Sequence, residues 1–310
     1  MSEPLVSIII PAKNASRTIG KCLTSIMQLD YPAFEVIVVD DNSDDETVVV
    51  IRSFGDRVRL IAESVSIGPS SARNAAARMA QGQFLAFTDA DCIVDRQWLR
   101  FLIQGFQTDR VAAVGGAQAV AEDENEFGRI VARFLQCAGI VTDYVRKPEG
   151  KPRFVSHNAS CNVMYRKDIF FVLGGFMQGL WPGEDVELDY RLCKKGYRLL
   201  SNPQAIVYHY RPATPGKFIR MMSRYGWAQG ILVRKYGFFR FLHAAPVLSA
   251  IIAVMWFIPA TRVFAAAVSI AGVIGLALLS GFNPQVFGLF MTGFVFWFAG
   301  FWKGFFQGNI

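Results

Sequence analysis

Four short apolar runs, Val6 to Ile10, Val36 to Val39, Val58 to Ile61 and Phe84 to Phe87, are separated by segments long enough for helices. Runs of this length, mostly β-branched, aliphatic or aromatic, read as strands buried on both faces, which requires helices packed on either side of the sheet. The intervening segments supply them. Ser16 stands where it would cap a helix carrying Ile19, Leu23, Ile26 and Met27 on one face, and Gly68-Pro69-Ser70-Ser71 opens another that runs to about Gln81. The pattern predicts an α/β chain built on a doubly wound, mostly parallel sheet.

Ligands of such sheets lie beyond the carboxyl ends of the strands. Three polar loops begin there: Pro11-Ala12-Lys13-Asn14, Asp40-Asp41-Asn42-Ser43-Asp44-Asp45 and Thr88-Asp89-Ala90-Asp91. Asp89 and Asp91 suit a divalent cation, Mg2+ or Mn2+, that also holds a diphosphate, because these ions prefer hard oxygen ligands. Aspartates at the end of a strand also serve simply as helix caps. Asp40 and Asp41 carry the same two readings, capping or recognition of the base and ribose of a nucleotide. Arg73, near the start of the helix between the two acidic loops, has the charge to neutralise phosphate.

Farther along, Val111 to Val114 and Phe154 to Tyr165 read as strands around a helical stretch from about Glu124 to Tyr144. A helix from Glu184 to Lys195 stops at Gly196, and short strands follow near Tyr197 to Leu200 and Ala205 to Tyr208. Gly183-Glu184-Asp185 places two acids at the start of that helix, where the dipole favours negative charge. Either they are caps, or Asp185 is a general base that takes a proton from an attacking hydroxyl. His209, between Tyr208 and Tyr210, is either a ligand for metal or phosphate or a structural residue.

Charge divides the chain unevenly. No Asp or Glu follows Asp189, whereas 13 of the 32 Lys and Arg do. Those cations, among them Arg211, Lys217, Arg220, Arg224, Arg234, Lys235 and Arg240, lead directly into apolar sequence, which points to anionic lipid headgroups and away from nucleic acid. After His243 only Arg262 and Lys303 are charged, and three apolar stretches follow at Ala244 to Pro259, Val263 to Gly281 and Val286 to Phe306. A bilayer core asks for about 20 residues per helix, so three membrane segments are expected, or two if the short first stretch is interfacial. Five cysteines without a Cys-x-x-Cys pair fit a reducing compartment. The N-terminal run has no secretory-signal pattern, so the sheet domain is expected in the cytoplasm, under an inner or plasma membrane.

Taken in order, Val6-Ser7-Ile8-Ile9-Ile10-Pro11-Ala12-Lys13-Asn14, Val39-Asp40-Asp41-Asn42-Ser43, Ala72-Arg73-Asn74, Asp89-Ala90-Asp91 and Gly183-Glu184-Asp185 resemble the inverting glycosyltransferases of family 2. The resemblance covers about residues 5 to 210. It implies a GT-A fold in a catalytic domain, residues 1–212, followed by a basic interface segment, 213–243, and membrane helices, 244–310. It also implies a nucleotide-sugar donor, UDP-linked by family habit, held by Pro11, Ala12, Asn14, Asp40, Asp41, Arg73, Asp89 and Ala90. The divalent metal would fall to Asp91 with Asp89 and His209, and the catalytic base to Asp185 with Glu184 beside it.

Processive synthases of the family carry Gln-x-x-Arg-Trp, whereas this chain reads Met221-Met222-Ser223-Arg224-Tyr225 in the comparable region. Single addition to a lipid-linked acceptor is therefore expected. A polyprenyl phosphate is the alternative acceptor, and a non-catalytic nucleotide-binding scaffold is the alternative of another class. A nucleotidyltransferase would need a Gly-rich phosphate loop, and Pro11-Ala12-Lys13-Asn14 has no glycine. Membrane lipids are expected partners, and a homo-oligomer is left open.

Overall fold

A computed structural model describes residues 3–142, 145 and 148–308. They divide into two units, one comprising the described residues up to Asp123 and from 145 to Tyr210, the other comprising Glu124–Thr142 and the chain from Arg211 onward.

The first unit opens with strands and helices in alternation: β1 (Val6–Ala12), α1 (Ile19–Met27), β2 (Phe34–Asp40), α2 (Thr47–Arg52), β3 (Arg59–Ala62), α3 (Pro69–Met79) and β4 (Phe84–Thr88). It continues through β5 (Cys92–Val94), α4 (Trp98–Ile103) and β6 (Val111–Val120), and the chain then crosses to the second unit for α5 (Glu126–Thr142). Back in the first unit come β7 (Arg153–Val155), β8 (Asn162–Arg166), α6 (Lys167–Val172), α7 (Glu184–Lys194) and β9 (Arg198–His209). One sheet results, in the order β3-β2-β1-β4-β8-β6-β9-β5, with β7 also on β9. Strands β1 to β4 pair only in parallel with one another. Antiparallel β8 then joins β4 to β6, and β6 runs parallel to β9.

Alternation along each strand explains the continuous apolar runs. Ile8, Ile10, Val36 and Val38 point to one face and pack with Leu23 and Ile26 of α1. Ile9, Ile37, Val39, Leu85 and Phe87 point to the other, against Ala72 and Ala76 of α3. Each fully buried isoleucine contributes roughly 1.5 to 3 kcal/mol relative to exposure. The pairings Ala12 with Asp40 and Asp40 with Ala62 bring the ends of β1, β2 and β3 to one edge, where the polar loops leave the sheet.

Several expectations change in detail. Ser16 does not cap α1, which begins at Ile19; its amide donates to Asp45 instead, at 3.2 Å. The stretch from Phe154 to Tyr165 splits into β7 and β8, because His157 to Cys161 turn away from the sheet to meet α7. The two short strands after Gly196 are halves of β9, whose pairing with β6 breaks between Ser201 and Ile206.

The second unit is helical, with α5 joined by α8 (Pro215–Tyr236), α9 (Ala244–Met255), α10 (Arg262–Leu279) and α11 (Pro284–Gln307). The units divide between Tyr210 and Arg211, and α5 groups with the later helices. Its apolar face accounts for this: the Phe134 ring lies 5.3 Å from Phe218 of α8 and 4.8 Å from Phe290 of α11. Tyr144, expected at the end of this helix, is outside the described residues.

Helices α8 and α11 touch along glycines. A Cβ at Gly226 would stand 1.9 Å from the Trp297 carbonyl, and one at Gly304 would stand 2.0 Å from that of Trp227. Two helical segments, Pro259–Leu279 and Pro284–Gln307, are long and apolar enough to cross a membrane. The short first stretch forms α9, which passes that test only together with α8, at a bend of 99°.

Candidate active site

The first two loops are knitted together by short-range hydrogen bonds. Asn14 takes a left-handed φ of 50°, its amide donates to Ser43 Oγ at 2.9 Å, and its Oδ1 accepts from the Asp44 amide at 3.0 Å. Asp40 accepts from the Ser43 amide at 3.0 Å and hydroxyl at 2.5 Å. Asp41 donates its amide to the Ala12 carbonyl, and its carboxylate accepts from Ser66 Oγ at 2.7 Å and the Ile67 amide at 2.6 Å. Both carboxylates are buried. Asp40 and Asp41 therefore build the loops, tying β1, β2 and the entry to α3 into one rim that carries the half-buried Pro11 and the exposed Asn14.

The third loop meets the end of β9. Antiparallel pairing of β5 with β9 sets Cys92 opposite His209, and the Tyr210 amide donates to the Asp91 carbonyl at 3.0 Å. His209 Nε2 consequently lies 3.2 Å from Asp91 Oδ1. Asp89, Asp91 and His209 each offer a ligand atom within 4.8 Å of the others. Two carboxylates and an imidazole, all half-buried, form a donor set of the kind Mg2+ or Mn2+ accepts. Ala90 between them is buried.

Arg73 is not a surface cation. It is 1% exposed, with Nη2 2.5 Å from Asp89 and Nη1 2.7 Å from Glu184. Burial alone would lower its pKa, but the two carboxylates outweigh that and raise it, so the guanidinium stays charged. One cation thus serves three acids, Asp89, Glu184 and the adjacent Asp185. Burial, with the charge of Asp185 added, pushes the Glu184 carboxyl up against the opposing pull of Arg73. Glu184 Oε2 and Arg73 Nε have no hydrogen-bond partner among the described residues.

Helix α7 starts just after Gly183, whose φ of 103° turns the chain into it. Glu184 is only 1% exposed and faces inward, toward Arg73. Asp185 is half-buried, and its carboxylate accepts from the Ser160 amide and from the Val186 amide, both at 2.8 Å. Of the two acids, Asp185 is the one open to the outside of the fold.

Sequence reasoning missed the residues that hold this arrangement. Ser160 bonds both acids, its hydroxyl reaching Glu184 at 3.1 Å. Asn74 exchanges hydrogen bonds with the backbone of Phe176 at 2.7 and 3.0 Å, and Ser70 Oγ donates to Leu180, which fixes the approach to Gly183. Asp189 accepts from the Asn158 amide at 2.7 Å and the Tyr165 hydroxyl at 3.0 Å, and its carboxylate lies 3.0 Å from His157 Nδ1. One signal was present: Asp189 stands four residues after Asp185, on the same face of α7.

Residues 7–173 match the family model described as Glycosyl transferase family 2. The chain belongs to this family. Among relatives of this family 2 glycosyltransferase, AglE of Haloferax volcanii is 31% identical over 232 residues, covering 73% of either chain. A Methanococcus voltae enzyme named dolichyl N-acetyl-α-D-glucosaminyl phosphate 3-β-D-2,3-diacetamido-2,3-dideoxy-β-D-glucuronosyltransferase is 25% identical, over 78% of this chain and 77% of its own. Among solved structures, the mannosyltransferase PcManGT of Pyrobaculum calidifontis, in complex with GDP-Man and Mn2+, superposes with a TM-score of 0.66 at 22% identity. That match spans 100% of this glycosyltransferase and 89% of the other chain, and it supports the GT-A fold.

Proposed function

We propose that this glycosyltransferase moves one sugar from a nucleoside diphosphate to a hydroxyl of a lipid-linked glycan, with inversion, at the cytoplasmic face of a membrane. The observation that carries the reading is the convergence, through buried Arg73, of the Asp89-Asp91-His209 donor set with the Glu184-Asp185 pair. In this reading the acceptor oxygen attacks the anomeric carbon opposite the diphosphate and the bond to the diphosphate oxygen breaks. The acceptor proton passes to Asp185, which Ser160 and the start of α7 hold in place. A bound Mg2+ or Mn2+ would supply Lewis-acid stabilisation of the leaving diphosphate.

Asp40, Asp41 and Asn14 shape the nucleotide rim in this account, and Arg73 and Glu184 are positioning residues. The proton requirement favours a sugar hydroxyl over a polyprenyl phosphate, which is already anionic and needs little help from a base. The name of the Methanococcus relative, with its lipid-linked sugar acceptor, supports the same choice. The two long apolar helical segments anchor the chain, and the cations that precede them set the cytoplasmic orientation. UDP-sugars are the first donors to try, followed by GDP-mannose. The test is donor binding with and without Mn2+ by the wild type and by Asp91→Asn. Metal-strengthened binding that the variant loses supports the reading, and equal, metal-independent binding by both contradicts it.

A further inference from the structure

We propose a second metal-binding site, for a thiophilic cation such as Zn2+, made by Cys92, Cys161 and His209 directly behind the carboxylates. Two strand registers create it. Pairing of β5 with β9 sets Cys92 opposite His209, and pairing of β4 with β8 sets Thr88 opposite Asn162, which brings the preceding Cys161 beside the Asp89 loop. One sulfur from each cysteine and an imidazole nitrogen of His209 all lie within 4.8 Å of one another.

A tetrahedral zinc ion with bonds of about 2.0 to 2.3 Å holds its ligands about 3.3 to 3.8 Å apart, a contraction that small side-chain rotations supply. Two sulfurs and one nitrogen are a soft donor set that selects Zn2+, Cd2+ or Co2+ over Mg2+ and Mn2+. Both thiols are buried, but His209 and Asp91 are not, so an ion has an entry path past the imidazole. On binding, each thiol releases its proton to solvent and the ion takes two thiolates, leaving the fourth corner to water.

His209 belongs to both donor sets, so a cation on the sulfur side draws the imidazole from Asp89 and Asp91 and opposes Mn2+ there. This second consequence rests on the metal reading given under the proposed function, whereas soft-cation binding does not.

The test uses the full chain in detergent with the more accessible cysteines removed (Cys137→Ala, Cys193→Ala), titrated with Co2+ under a non-thiol reductant. Sulfur-to-cobalt charge-transfer absorption saturating at one ion per chain is expected, kept by Asp91→Asn and lost in Cys161→Ser and Cys92→Ala, whose folding is checked by thermal melting. No such absorption, or its persistence in both folded cysteine variants, would overturn the site. In the same background, bound Mn2+ followed by electron paramagnetic resonance should be released by one equivalent of Zn2+, but not in Cys161→Ser. Release in both proteins, or in neither, would overturn the sharing of His209. A protein that shows cobalt-thiolate absorption but binds no Mn2+ contradicts the carboxylate site and leaves the cysteine site standing.

Discussion

Arg73 is enclosed between Asp89 and Glu184, and this arrangement makes its charge a structural requirement. Removing one partner of a buried ion pair leaves the others uncompensated, at a cost of about 3 to 5 kcal/mol. Arg73→Met is therefore expected to lower the thermal transition of the detergent-solubilised protein, and Arg73→Lys, with a point charge in place of a fork, to restore only part of it. A wild-type melting profile for Arg73→Met would refute the bridge. Asp185→Asn is expected to reduce the transfer rate by about 10²- to 10⁴-fold with donor affinity near normal, measured by product formation beside titration calorimetry. Loss of donor binding in that variant would move Asp185 from base to donor ligand. Asp89, Asp91 and Asp185 were legible in the sequence because each sits at a strand end or helix start that local pattern predicts. Ser160, Asn74 and Asp189 were assigned no role, because their partners lie 24 to 102 residues away and only the tertiary fold brings them into contact.

Strands β1, β2 and β4 and helices α1, α3 and α7 follow from periodicity and turn residues, since each buries a continuous or one-sided apolar surface, while β3 at the sheet edge only half-buries Leu60 and Ile61. The second half of the sheet is harder to read. β5 is three residues long, and β9 runs through Asn202-Pro203, where its pairing with β6 lapses, so local pattern suggested two strands instead of one. Helix α5 looked like part of the sheet domain because it lies between β6 and β7 in sequence. Its packing, with Phe134 against Phe218 and Phe290, reveals the second unit as its home. The contact between α8 and α11 rests on backbone approach at Gly226, Gly230, Gly300 and Gly304. Gly226→Leu should cost at least about 1 to 3 kcal/mol through overpacking, read as a lower melting temperature in detergent. Gly275→Ala on α10, where nothing lies within 4 Å of the added carbon, should leave that temperature unchanged. Equal behaviour of the two variants would contradict the glycine seam.

At the scale of the whole molecule, one sequence carries two compositions. The sheet unit contains nearly all of the acids, and the chain beyond Asp189 contains none. The full chain should remain in the membrane pellet after alkaline extraction, as expected of the two long apolar segments; release into the supernatant would contradict anchoring. Donor and acceptor identities were not legible, because discrimination among sugars depends on a few hydrogen bonds from loops whose bound shape no periodicity encodes. The most direct test of the account is transfer from a panel of UDP- and GDP-sugars to lipid extract of the source membrane, with Mn2+, with Mg2+ and with chelator. The account predicts a lipid-extractable labelled product that depends on metal and disappears in Asp185→Asn. Donor binding without transfer or hydrolysis across the panel, with metal and lipid present, would contradict it.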